Sequence, residues 1–195
     1  MQRRHRIFIA INLPREVKKV LGRYQEKWPE LPAKWTPAEN LHITLLFLGD
    51  VTDEEMGDIC LTVKEVSQRH SILDVTLNKV GYGPDNKIPP RMVWASGDLP
   101  AQAGKNKELS ALKKDLEDSL EGKVTLMPEF ATFSPHVTLA RISAIQWRMI
   151  EPEERPEVSE NVDFTFTVES IDVMESELKR GGPQYTIIES AQLSI

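Results

Sequence analysis

The sequence predicts an α+β protein of two pseudo-symmetric lobes, each an antiparallel sheet with outer helices, with an active-site cleft between them. Two observations carry this. Asn40-Leu41-His42-Ile43-Thr44-Leu45-Leu46 and Ser134-Pro135-His136-Val137-Thr138-Leu139-Ala140 share the pattern His, β-branched apolar, Thr, Leu. Their surroundings repeat too. Arg6 to Pro14 and Arg91 to Pro100 both read Arg, apolar run, Ala, then Leu-Pro, and a helix-period segment separates each from its His-x-Thr run. Strand, helix, strand written twice implies a duplicated module whose halves face each other. At 195 residues the chain suits one bilobal domain spanning 1–195 and is too short for two ordinary independent ones.

In chain order, Arg6 to Ile11 reads as a buried strand, and Pro14 fits a helix start. Val17, Val20, Leu21, Tyr24 and Trp28 recur at helical spacing, until Pro29, Pro32 and Pro37 stop the helix and Trp35 leads into the first His-x-Thr strand. Trp35 is expected to pack, with base stacking as its alternative role. Gly49-Asp50 ends that strand, and Thr52 with Glu55 forms a capping box for a helix turning Met56, Ile59, Cys60, Val63 and Val66 inward. His70, outside any His-x-Thr context, reads as a surface residue at that helix's C-terminus.

Ile72 to Val80 reads as a strand and Gly81 to Pro90 as a turn-rich loop. The second half opens at Arg91 to Ala95. Its helix carries Leu109, Leu112, Leu116 and Leu120, and the strand from His136 ends at Arg141. A short helix near Ala144 to Ile150, a solvated loop over 151–157, strands at Phe164 to Val168 and Ile171 to Met174, and a hairpin return from Tyr185 to Glu189 complete the chain.

Alternation along a strand points His42 and Thr44 one way and Ile43 and Leu45 into a core; His136 and Thr138 repeat the arrangement. Two such strands surround a ligand with two imidazoles and two hydroxyls, a set suited to a phosphodiester. One imidazole takes a proton, one imidazolium gives a proton, and hydroxyls support the developing charge. This chemistry requires no metal or other cofactor. Zinc wants three or four clustered ligands, which neither motif supplies, and a Gly-x-Ser-x-Gly elbow is absent.

The net charge of −6 argues against indiscriminate nucleic-acid binding; contact with a nucleic-acid substrate, if that is what the chain acts on, is expected to be local, at an end. Cys60, the only cysteine, is expected to be a buried structural thiol in a reducing compartment. Neither a signal-peptide core nor a membrane span is legible, so a cytoplasmic protein without membrane contact is expected; a monomer is expected as well.

The paired motifs, the opening Arg6-Ile7-Phe8-Ile9-Ala10-Ile11 and the run Phe133-Ser134-Pro135-His136-Val137-Thr138-Leu139-Ala140-Arg141 resemble the 2H phosphoesterase superfamily. The nearest likeness is its RNA 2',3'-cyclic phosphodiesterase branch, also called 2'-5' RNA ligase. The resemblance runs through Val173 to Lys179 and Gly182 to Tyr185. It implies an enzyme acting on RNA or nucleotides with a 2',3'-cyclic phosphate end, with His42 as the acid and His136 as the base. It also implies that Thr44, Thr138 and Arg141 hold the phosphate, and that reverse ligation is available. Strict alternation places Arg141 on the face opposite His136, so a strand end or bulge is needed to bring it round. Arg6 and Arg91 line the cleft or serve structurally. Ile9 stands where the family often has an aromatic, which leaves base stacking to another residue such as Trp35. A 2'-5' oligonucleotide phosphodiesterase or an ADP-ribose cyclic-phosphate phosphodiesterase on the same scaffold, and a non-catalytic RNA-end binding module, are the alternatives.

Overall fold

A computed structural model describes residues 4–84, 87–97, 106–126 and 133–195. The Leu99-Pro100 echo and the opening of the Phe130 to Pro135 lead-in lie outside these residues. Among them, nine strands form one antiparallel sheet. They are β1 (His5–Asn12), β2 (Ala33–Trp35), β3 (His42–Val51), β4 (Leu73–Gly83), β5 (Met92–Ser96), β6 (His136–Ile142), β7 (Ser159–Val168), β8 (Ser170–Lys179) and β9 (Gly182–Gln192). The helices are α1 (Arg15–Leu21), α2 (Asp53–Ser67), α3 (Lys107–Leu120) and α4 (Ala144–Arg148), with short 3-10 turns at Gly22–Glu26, Ala38–Asn40 and Pro152–Glu154.

The strand order is β7-β4-β5-β6-β3-β1-β8-β9, with β2 paired to β6. The two His-x-Thr strands are central neighbours, each flanked by the strand that opens its own half of the sequence. The halves are not contiguous in the chain, because β4 joins the second and the C-terminal hairpin β8–β9 returns to the first. Between the halves, the β3–β6 ladder consists of the pair Ile43 and Val137 among the described residues.

Periodicity accounts for the layers. On β1, Ile7, Ile9 and Ile11 enter the main core, while Phe8 and Ala10 join Met174 in a small cluster on the opposite face. The core face also takes Ile43, Leu45, Val137 and Leu139, and α2 and α3 cover it with Ile59, Val63, Val66, Leu109, Leu112, Leu116 and Leu120. The expected capping box forms: Glu55 N–H donates to Thr52 Oγ1 and Thr52 N–H to Glu55 Oε2. Cys60 is partly buried against this core.

Several elements differ from expectation. α1 ends at Leu21 and continues as a 3-10 turn, so Val20 is exposed while Tyr24 and Trp28 still pack inward. His70 is not simply a surface residue, because its Nε2 meets Asp115 of α3 at 2.9 Å, beside a bidentate pair between Arg69 and Asp115. The loop expected from Gly81 begins later, since β4 runs through Gly83. His5, unremarked in the sequence, is buried between Glu175 (2.7 Å) and Asp53 (2.9 Å) and ties β1 to β8 and α2. No helix among the described residues is long and apolar enough to cross a membrane.

The fully buried Leu116 and the cap test this packing. Leu116→Ala is expected to cost roughly 2–5 kcal/mol, and Thr52→Ala about 1 kcal/mol, read from urea midpoints at constant m-value. A Leu116 variant of wild-type stability would contradict the placement of α3 on the sheet.

Candidate active site

The site follows from the core beneath it. Ile43 and Val137 are fully buried and pair directly, so their neighbours on the same strands project to the other face. An antiparallel crossing at that pair sets His42 across from Thr138 and Thr44 across from His136. The four residues read from the repeated motif are thus brought to one place.

Both histidines are oriented alike. His42 Nδ1 lies 2.7 Å from the Asn40 carbonyl oxygen, and His136 Nδ1 lies 2.9 Å from that of Ser134. A carbonyl only accepts, so each Nδ1 carries the hydrogen and the lone pair of each ring in its neutral form is on Nε2. His42 Nε2 lies 3.1 Å from Thr44 Oγ1. The motif spacing thereby sets imidazole and hydroxyl against the same small volume.

Arg141 reaches this face through a bulge. Trp94 pairs with Thr138 and Val93 with Ala140, leaving Leu139 as the extra residue of β6. The parity of the strand switches there, and His136, Thr138 and Arg141 share a face. The first half is bulged alike: Ala10 pairs with Thr44 and Ile9 with Leu46, leaving Leu45 extra. Phe47, opposite Phe8, occupies the position that Arg141 holds opposite Met92. The arginine is therefore present in one half only. These ladders also correct the sequence alignment by one residue: Trp94, not Ala95, corresponds to Ala10.

The environments of the two rings differ. His42 is flanked by Phe8 (5.1 Å between centroids) and meets Tyr185 edge-on (5.2 Å). Burial pushes its pKa down, helped by the Lys18 and His136 charges and opposed by the hydrogen bond to Asn40. His136 stacks on Trp94 with centroids 4.0 Å apart. That indole lies against Gly83, where an added Cβ would stand 2.2 Å from Trp94 Cδ2. Burial raises the Tyr185 hydroxyl, while the charges of Arg141 and Arg6 act against the shift.

Phe8, not a residue at position 9, is the first-strand aromatic of the site, because Ile9 faces the core. Trp35 also packs against that core. Sequence reasoning missed Trp94, Lys18, Asn12 and Asp172. A carboxylate inside the apolar run Ile171 to Met174 was the available signal for Asp172. Among the described residues, no group of three or more His, Cys, Asp or Glu is placed to hold a metal ion.

A family model described as "LigT like Phosphoesterase" matches residues 11–94 and 99–185. The RNA 2',3'-cyclic phosphodiesterase of Thermus thermophilus is 32% identical over 190 residues, 96% of this chain and 90% of that protein. The protein of the same name from Aquifex aeolicus is 28% identical over 191 residues, 96% and 97% of the two chains. Among solved structures, E. coli LigT complexed with 3'-AMP superposes with a TM-score of 0.76 at 25% identity, covering 99% of this chain and 100% of that one.

Two measurements probe the rings. Burial and Lys18 disfavour the His42 imidazolium, so the unfolded chain binds that proton more readily, and His42 erodes stability as pH falls below about 6.5. Lys18→Met should raise the His42 titration midpoint followed by imidazole proton NMR; an unmoved midpoint would mean the ammonium is not felt there. Gly83→Ala should displace Trp94 and shift the His136 ring resonances, and unchanged resonances would contradict the stack's dependence on that glycine.

Proposed function

The chain belongs to the LigT-like phosphoesterases, and from that premise we propose that it hydrolyses 2',3'-cyclic phosphate ends of RNA or nucleotides to 2'-phosphates without a metal ion or other cofactor. The observation that carries this reading is the pair of matched imidazoles, each with Nδ1 on a carbonyl two residues upstream. Relatives named RNA 2',3'-cyclic phosphodiesterase, aligned over nearly the whole chain, support the substrate.

In this reading His136 Nε2 removes a proton from water as the water oxygen attacks phosphorus. The bond from phosphorus to the ribose 3'-oxygen breaks, and His42 Nε2 gives its proton to that oxygen, leaving a 2'-phosphate monoester. Thr44 and Thr138 donate to the non-bridging oxygens, and Arg141 balances their charge. The lowered pKa of His42 fits the acid role once substrate is bound, because the phosphate's negative charge favours the imidazolium that burial and Lys18 disfavour in the empty site. Reversal, with a 5'-hydroxyl in place of water, would form a 2'-5' linkage. We also infer that 1–195 is a single bilobal unit arising by duplication, acting as a monomer in the cytoplasm on RNA ends.

Adenosine 2',3'-cyclic phosphate incubated in EDTA should give the 2'-phosphate, identified by phosphorus NMR, with a bell-shaped pH dependence of kcat/KM. His42→Ala and His136→Ala should each reduce kcat by roughly 10²–10⁴, and Thr44→Val or Thr138→Val by a smaller factor. A rate insensitive to either histidine, or dependent on added metal, would overturn this mechanism. Retained binding of the cyclic nucleotide without turnover would favour an RNA-end binding module.

A further inference from the structure

Beside His42 lies a groove of about 790 Å³ that the hydrolytic chemistry does not use. That volume is within the range of small-ligand pockets. Asn40 and Tyr185 belong to both places: Asn40 accepts from His42, Tyr185 packs against it, and both line the groove. A ribose whose 3'-oxygen faced His42 would therefore direct its remaining parts into this space.

The floor of the groove is a polar chain. Lys18 Nζ donates to Asn12 Oδ1 (3.2 Å) and to the Glu39 carbonyl (2.9 Å), and Asn12 Nδ2 donates to Asp172 Oδ2 (2.6 Å). Asp172 is only 3% exposed, and its second oxygen, Oδ1, is buried with no hydrogen-bond partner. Pairing that oxygen with a donor removes the cost of leaving a buried acceptor unsatisfied. The lining sets the Lys18 ammonium against the carboxylates of Glu39 and Asp172, with Lys34 Nζ at the rim on the Gly181 carbonyl (3.2 Å). Tyr185, Met174 and Pro183 supply flat and apolar walls. The chemistry of the groove asks for a neutral, planar group bearing a hydrogen-bond donor.

We propose that this groove is a nucleobase subsite in which Asp172 Oδ1 accepts from an exocyclic amine, so that the protein prefers adenine, cytosine or guanine over uracil at the cyclic-phosphate end. This rests on the 2',3'-cyclic phosphate reading above. Asp172→Asn changes the preference in a defined way. With its amide oxygen accepting from Asn12, its amide NH₂ faces the groove and suits the O4 acceptor of uracil instead.

The test uses the intact protein and two readouts: kcat/KM for the four nucleoside 2',3'-cyclic phosphates, and Kd for the four nucleoside 2'-phosphates by calorimetry. The expected result is that the amine-bearing bases exceed uridine about tenfold in both, and that Asp172→Asn narrows or reverses the order. Equal binding of all four by the wild-type protein, or an order unchanged in Asp172→Asn, overturns the subsite. If Asp172→Asn does not fold, the wild-type order decides alone. Absence of turnover for all four with base-dependent binding intact would instead count against the hydrolytic reading and leave the subsite standing.

Discussion

The site depends on the burial of one pair of side chains, Ile43 and Val137. Both are fully buried, and they join the two His-x-Thr strands where these meet. Because strand faces alternate, sinking these two residues into the core lifts His42, Thr44, His136 and Thr138 out of it on the other side. A slip of one residue on either strand would turn imidazoles toward α2 and α3 and expose isoleucine, valine and leucine. The hydrophobic effect, which is not directional by itself, thus fixes a directional polar site through strand parity.

On that shared frame the two rings are differentiated by what surrounds them. His42 is wedged among Phe8 and Tyr185, within range of a lysine and beside a groove ending in a buried carboxylate. His136 lies flat on Trp94, whose indole occupies space that only a glycine leaves open on β4. The arginine stands in one half and a phenylalanine at its counterpart. Equivalent backbone positions with unequal neighbours suit the proposed reaction, which has one proton donor and one proton acceptor.

What the sequence disclosed was what is local and periodic. His-x-Thr spacing, the Thr52–Glu55 box and the leucines of α3 each rest on contacts within one element, and all are found as read. Arg141 needed more, because a bulge at Leu139 is a property of two paired strands and leaves no mark in the order of residues on one. The one-residue misalignment of Arg6 with Arg91 has the same origin: composition matched, but the ladders place Trp94 opposite Thr138. Lys18, Asn12 and Asp172 come from α1, β1 and β8, and Asp172, 160 residues from Asn12 in sequence, joins them only by folding. Ile9 and Phe8 show the limit of a motif comparison, since adjacent residues on a strand face opposite ways and only the register says which one the site receives.

The return of β8 and β9 to the first half has a consequence for how the protein is made. Until residues 170–192 have been synthesised, β1 carries an uncovered edge of backbone donors and acceptors beside strand β3. The emerging chain must hold that edge apart from other strands through most of its translation, when unpaired edges invite misassembly. Closure of the hairpin then does two things in one step: it seals the edge, and it brings Tyr185 and Asp172 beside His42. A chain released before its last strands would carry both motifs and still lack part of the wall around His42.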